Sequence, residues 1–136
     1  MTMDPEPTIE FRLDRSSGVP AYRQLVDQVR QALQLGILRP GDQLPTVRDV
    51  VRQIAINPNT VHRSYRELEQ QGLTEGRPGS GTFVKRSLDA APEQRVGLQQ
   101  ALATWVREAR SAGLDDEGIS ALMAEVMRTT EKEGPR

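Results

Sequence analysis

The chain has 136 residues, enough for one compact domain with an appendage, and no cysteine, which excludes disulfides and thiol catalysis and suits a reducing interior. Its formal net charge of −1 selects no partner by itself. One histidine and scattered carboxylates make no nucleophile–base pair and no metal cluster, so an enzyme is not expected, nor a cofactor or a metal.

Charge is unevenly spread: residues 20–86 carry +4, residues 1–19 carry −2 and residues 87–136 carry −3. A basic middle between acidic ends fits a polyanion partner, and fits an ordinary solvated surface as well. The opening "MTMDPEPTIEF" lacks the apolar core of a secretory signal, and no apolar run reaches the length of a membrane span. A soluble cytoplasmic protein is the expectation.

Residues 1–8 are polar and proline-bearing and are expected to be disordered. "IEFRLD" alternates Ile9, Phe11 and Leu13 with charges, a short strand or extended pattern. After the loop "RSSGVP", Pro20 opens a helix over about Ala21 to Leu35, with Tyr22, Leu25, Val26, Val29 and Leu33 at helical spacing and Gly36 as its stop. In the connector "ILRPGDQLP", Ile37, Leu38 and Leu44 read as buried anchors, and Pro40-Gly41 suits a type II turn. Thr46 with Asp49 forms a capping box for a short second helix whose stripe is Val47, Val50, Val51 and Ile54.

Asn57 then caps a third helix, with Pro58 at its first position, running to about Gln71 before Gly72. The short link between the second and third helices has helix-turn-helix spacing. "LTEGRPGSGTFV" reads as a β-hairpin, and "SLDAAPEQ" as a linker. Two further amphipathic helices follow. The first carries Leu98, Ala101, Leu102, Trp105, Val106 and Ala109; the last, capped by Asp115 or Asp116, carries Ile119, Leu122, Met123, Val126 and Met127. The tail "EKEGPR" is expected to fray. The sum is a mainly α protein with a small β wing: a winged helix-turn-helix over residues 9–86, a linker over 87–94 and two C-terminal helices over 95–136.

On a helical wheel of the third helix, Val61, Tyr65 and Leu68 make a core stripe. Asn59, Arg63, Arg66 and Gln70 lie opposite, His62 at their edge, and Glu67 and Glu69 fall outside that arc. A face with no acid fits base edges and phosphates, since Asn and Gln pair with adenine and Arg with guanine; a solvated face is the plainer reading of the same residues. Arg48 and Arg52 project from the helix that crosses the phosphate backbone in this architecture. The hairpin tip, Arg77 with Gly79, Ser80 and Gly81, suits a narrow groove or is a plain turn.

These residues carry a resemblance. "LRPGDQLPTVR" at Leu38–Arg48, "NPNTV" at Asn57–Val61 and "GSGTFV" at Gly79–Val84, in this order and spacing, resemble the DNA-binding domain of the GntR family of bacterial regulators. "SSGVPAYRQL", the "NPNT" form and the two-helix tail resemble the YtrA subfamily. The resemblance implies a repressor that binds double-stranded DNA at a pseudo-palindromic operator as a homodimer, often over its own gene and a transporter. It implies DNA contacts at Arg48, Asn57, Pro58, Asn59, Thr60, His62 and Gly79, and Thr46, at the entry of the second helix, is a candidate beside them. Many members carry arginine where this chain has Pro58, so base reading shifts to Asn59, His62 and Arg63. Two helices do not enclose a dedicated ligand domain, and the effector is left open. Their stripes (Leu98, Leu102, Trp105, Val106, Ile119, Leu122, Met123, Val126) are expected to dimerise. A winged-helix protein-interaction module is the alternative.

Overall fold

A computed structural model describes residues 9–131, so the expectations for residues 1–8 and for most of the C-terminal tail lie outside the described residues. The chain divides between Pro92 and Glu93 into two units.

The first unit holds α1 (Ala21–Gln34), α2 (Val47–Ile54), α3 (Pro58–Gln70) and the antiparallel pair β1 (Thr74–Arg77) and β2 (Gly81–Val84). It is the winged helix-turn-helix expected from the sequence. α1 buries Leu25, Val26, Val29, Ala32 and Leu33, and α3 buries Val61, Ser64, Tyr65 and Leu68. These stripes, with Val50 of α2, Val84 of β2 and with Leu38, Leu44 and Leu73 from the connecting segments, make one core.

Two hydrogen bonds, one part-buried and one buried, fix α3 against that core. The Ser64 hydroxyl shares its proton between the Thr60 carbonyl of its own helix (2.9 Å) and the Tyr22 carbonyl (3.0 Å), tying α3 to α1. The Tyr65 hydroxyl donates to the Pro45 carbonyl (2.5 Å), tying α3 to the entry of α2. Burial, and secondarily the Asp49 carboxylate, push the Tyr65 phenol well above the ordinary tyrosine range.

The capping signals act as expected. Thr46 Oγ1 accepts from Asp49 N (3.1 Å) while Asp49 Oδ2 accepts from Thr46 N (3.2 Å). Asn57 Oδ1 accepts from Asn59 N (2.8 Å), and Pro58 occupies the first turn of α3. Between these helices Ala55 takes a left-handed conformation (φ 51°), which costs a non-glycine residue about 1 kcal/mol. Arg15 Nη2 donates to the carbonyls of Ile54 and Ala55 (3.3 Å each), satisfying groups that α2 leaves free at its end.

Three expectations change. Ile37, read as a buried anchor, is 56% exposed; Leu38 takes the core position, and neighbours on a non-helical segment point opposite ways. Ile9–Leu13, read as a short strand or extended segment, pairs with no strand among the described residues. Its amides at Phe11 and Arg12 are met by the side-chain carbonyls of Gln53 (3.3 Å) and Gln28 (2.9 Å) instead of a neighbouring strand. The connector is more than a connector: after the Pro40-Gly41 turn, closed by Asp42 N to Arg39 O (3.0 Å), Gln43 makes a single antiparallel bridge to Phe83 at the side of the wing.

The second unit holds α4 (Pro92–Ser111), from its second residue onward, and α5 (Asp116–Thr130). α4 starts at Pro92, inside the stretch expected as linker, because proline is well suited to the first helical turn. Asp115 caps α5 by accepting from Gly118 N (2.8 Å), and Arg110 pairs with Asp116 (3.1 Å) across the turn. Ala109 and Ile119 are the buried residues of these two helices. No helix among the described residues is long and apolar enough to cross a membrane.

Replacing Tyr65 by Phe leaves the Pro45 carbonyl without its partner in a buried setting. We expect a loss of about 1–2 kcal/mol, read as a lower urea midpoint with an unchanged slope. An unchanged midpoint would show that this bond does not hold α3 in place.

Candidate nucleic-acid interface

Burying Val61, Ser64, Tyr65 and Leu68 turns the opposite side of α3 outward, so Asn59, His62, Arg63, Arg66 and Gln70 are all exposed. Beside this face the entry of α2 and the wing close a cleft of about 290 Å³. It brings together Thr46, His62, Arg66 and Gly81, four of the residues singled out from the sequence, over the buried ring of Tyr65.

Glu69 lines the same cleft, although the wheel put it outside the polar arc. Its carboxylate Oε1 accepts from Gly76 N (3.2 Å), so its charge is partly used in fastening α3 to the wing. Gln43 fastens the wing from the other side, donating through Nε2 to the Ser80 carbonyl (2.9 Å). Neither role is marked in the local sequence, since each contact joins separate elements.

The wing tip turns through Arg77-Pro78-Gly79-Ser80, closed by Ser80 N to Arg77 O (2.9 Å). Gly79 has φ 77° in open space, as the third position of a type II turn demands. Gly81 has φ 118°, and a Cβ there would lie 2.5 Å from Gln43 Nε2, so any larger residue displaces the amide that braces the wing.

The arginines fall into three groups. Arg48 in the first turn of α2, Arg52 in its last turn and Arg66 on α3 are exposed, with no hydrogen bond or ion pair among the described residues. Arg77 is committed: it pairs with Glu75 (2.9 Å) and lies over the Phe83 ring at 4.3 Å. Arg63 lies over the Tyr22 ring at 3.7 Å, and its N–H groups have no partner among the described residues. Thr46 and Asn57 spend their side-chain oxygens on helix caps, so what they offer a ligand is chiefly the position of their helix ends. Pro58 is exposed and brings no donor; Thr60 is half-buried, its carbonyl accepting from the Ser64 hydroxyl (2.9 Å).

Comparison with known proteins agrees with this geometry. The family model described as "Bacterial regulatory proteins, gntR family" matches residues 21–84. The chain is 31% identical over 118 residues to the HTH-type transcriptional repressor YtrA of Bacillus subtilis, covering 85% of this chain and 91% of that one. It is 41% identical over 98 residues to the HTH-type transcriptional regulator Rv1152 of Mycobacterium tuberculosis, covering 68% and 81% of the two chains. Among solved structures it resembles YtrA from Sulfolobus acidocaldarius, a GntR-family transcription factor, with a TM-score of 0.53 at 29% identity, covering 70% of this chain and 99% of that chain.

The arginine groups make a ranked prediction. Arg48→Ala should weaken binding to any duplex and flatten the dependence of log K on log salt by about one unit. Arg77→Ala should change affinity less, because its guanidinium is already bound within the wing. Fluorescence anisotropy across a salt series checks the order; a larger effect at Arg77 would contradict it.

Proposed function

The chain belongs to the GntR family of bacterial regulatory proteins as a YtrA-like DNA-binding transcriptional regulator, and on that premise we propose that it represses transcription as a homodimer on a two-fold operator. The family is one of regulators, not of enzymes. The observation that carries the DNA-reading part is the outward side of α3: five polar or basic side chains beside a cleft shared with the wing, where a carboxylate of α3, Glu69, accepts from Gly76 N. In this reading Asn59, His62, Arg63 and Arg66 meet base edges, and Arg48 and Arg52 meet phosphates. Asn57, Pro58 and Thr60 set the approach of α3, and Gly79, Ser80 and Gly81 bring the wing backbone to the adjacent groove. Arg77 then shapes the wing more than it contacts DNA.

Dimerisation is supported by the second unit. Leu98 is 65% exposed and Met127 71%, and Leu102, Leu122 and Val126 are exposed too. Leu102, Trp105, Met123, Val126 and Met127 line an open apolar hollow of about 320 Å³. Such a surface is costly in water and suits a second copy of itself. Val106 is half-buried beside Trp105 and extends the same interface; Ile119, at 6% exposure, belongs to the interior of its own unit and contributes less than its sequence position suggested. A two-fold dimer sets two α3 helices into successive major grooves, with half-sites about 34–36 Å apart. The cytoplasm, where the DNA is, is the compartment this reading requires.

Two measurements test it. In vitro selection from random duplex should enrich a pseudo-palindrome; enrichment of no motif would overturn the reading. Val126→Asp should weaken the dimer by about 3 kcal/mol, seen as monomer in sedimentation and as weaker operator binding with the winged unit still folded. A variant that stays fully dimeric would remove α5 from the interface.

A further inference from the structure

We infer that Tyr22, on α1, is a positioning residue for base reading: its ring is the platform that presents the Arg63 guanidinium to DNA. The inference rests on the reading of α3 as the recognition helix and adds to it a residue outside the helix-turn-helix.

Two independent observations carry it. The first is the stack itself, with the Arg63 guanidinium carbon 3.7 Å from the Tyr22 ring centre. A guanidinium stacked on an aromatic ring uses its face, while its N–H donors lie in the plane and point outward. Arg63 makes no hydrogen bond or ion pair among the described residues, so those donors are uncommitted. Arg77 shows the contrasting case, stacked on Phe83 but with its donors taken by Glu75. The second observation is what holds the platform. The residue after Arg63 is Ser64, fully buried, whose single hydroxyl proton is shared between the carbonyl of Tyr22 (3.0 Å) and that of Thr60 (2.9 Å). The backbone that carries the ring is therefore tied to the backbone that carries the arginine, one residue away. Arg23, with its guanidinium 5.9 Å from the same ring, adds positive charge beside the stack.

The physical consequence concerns order. A free surface arginine loses much rotamer freedom when it forms a bidentate contact. One already held by a ring loses less, so the contact discriminates better between bases. Because Pro58 supplies no donor at the start of α3, a pre-ordered Arg63 one and a half turns along becomes a principal guanine-reading group of the helix.

The test uses the full chain. Random-duplex selection is run in parallel on the wild type, Tyr22→Leu, Tyr22→Phe and Arg63→Ala, and affinity is measured for the wild-type motif and for a scrambled duplex. Tyr22→Leu and Arg63→Ala should lose preference at the same base position, with motif-over-scramble discrimination falling about tenfold and scrambled-duplex affinity changing less than twofold for Tyr22→Leu. Tyr22→Phe, which keeps the ring, should retain the wild-type motif, and the double variant should be no worse than Arg63→Ala alone. Wild-type preference in Tyr22→Leu, or loss in Tyr22→Phe equal to that in Tyr22→Leu, overturns the assignment while leaving operator binding intact. Absence of any motif for the wild type itself would overturn the recognition-helix reading, and this inference with it. A readout free of mutation guards against an unfolded variant: in the wild type the Arg63 side-chain protons should show an upfield ring-current shift and Arg63 Nε a higher order parameter than Arg48 Nε. Equal mobility of the two would overturn the proposal.

Discussion

The orientation of α3 depends on how its inner side is held. Val61 and Leu68 are fully buried, each contributing about 1.5–3 kcal/mol of apolar burial. The Ser64 and Tyr65 hydroxyls add two directional ties of about 1 kcal/mol each, to α1 and to the entry of α2. Apolar burial dominates the energy, but it would tolerate some rotation of the helix. Burial decides which residues of α3 meet solvent, and the two hydrogen bonds limit the rotation that remains. Everything proposed for DNA follows from that decision, because Asn59, His62, Arg63 and Arg66 are outward only in this setting.

The same logic joins the remaining parts of the interface. Leu44 N donates to Thr82 O (2.9 Å) and Val84 N to Asp42 O (2.8 Å), so the segment that enters α2 is also an edge of the wing sheet. Glu69 reaches from α3 to the wing, and Gln43 braces its tip. The start of α2, the outer side of α3 and the turn at Gly79 are thus parts of one hydrogen-bonded assembly. Elements joined in this way lose less freedom on docking, which raises the affinity that their contacts can deliver.

Much of this was legible in the sequence where the controlling physics is local. The capping box at Thr46 and Asp49, the Asn57-Pro58 helix start and the turns at Gly41 and Gly79 each need only neighbouring residues, and each occurs as read. Helix periodicity likewise placed the core stripes of α1 and α3. Long-range contacts were not legible. The alternation in Ile9–Leu13 fits a strand, yet what satisfies that backbone is a pair of glutamine amides from α1 and α2. Ile37 and Leu38 are equally apolar, and only the chain path decides which one is inside. Arg77 and Arg63 both read as free cations until Glu75, Phe83 and Tyr22 are placed beside them.

The central claim is that one outward surface, made of the start of α2, α3 and the wing tip, meets DNA. Amide NMR of the isotope-labelled full-length chain, titrated with a duplex carrying its selected site, tests this most directly. The account predicts that the largest shift changes cluster at Thr46–Arg48, at Asn57–Arg66 and at Gly79–Gly81. Changes confined to α4 and α5, or centred on the exposed side of α1 around Asp27 and Gln31 with α3 unmoved, would contradict it.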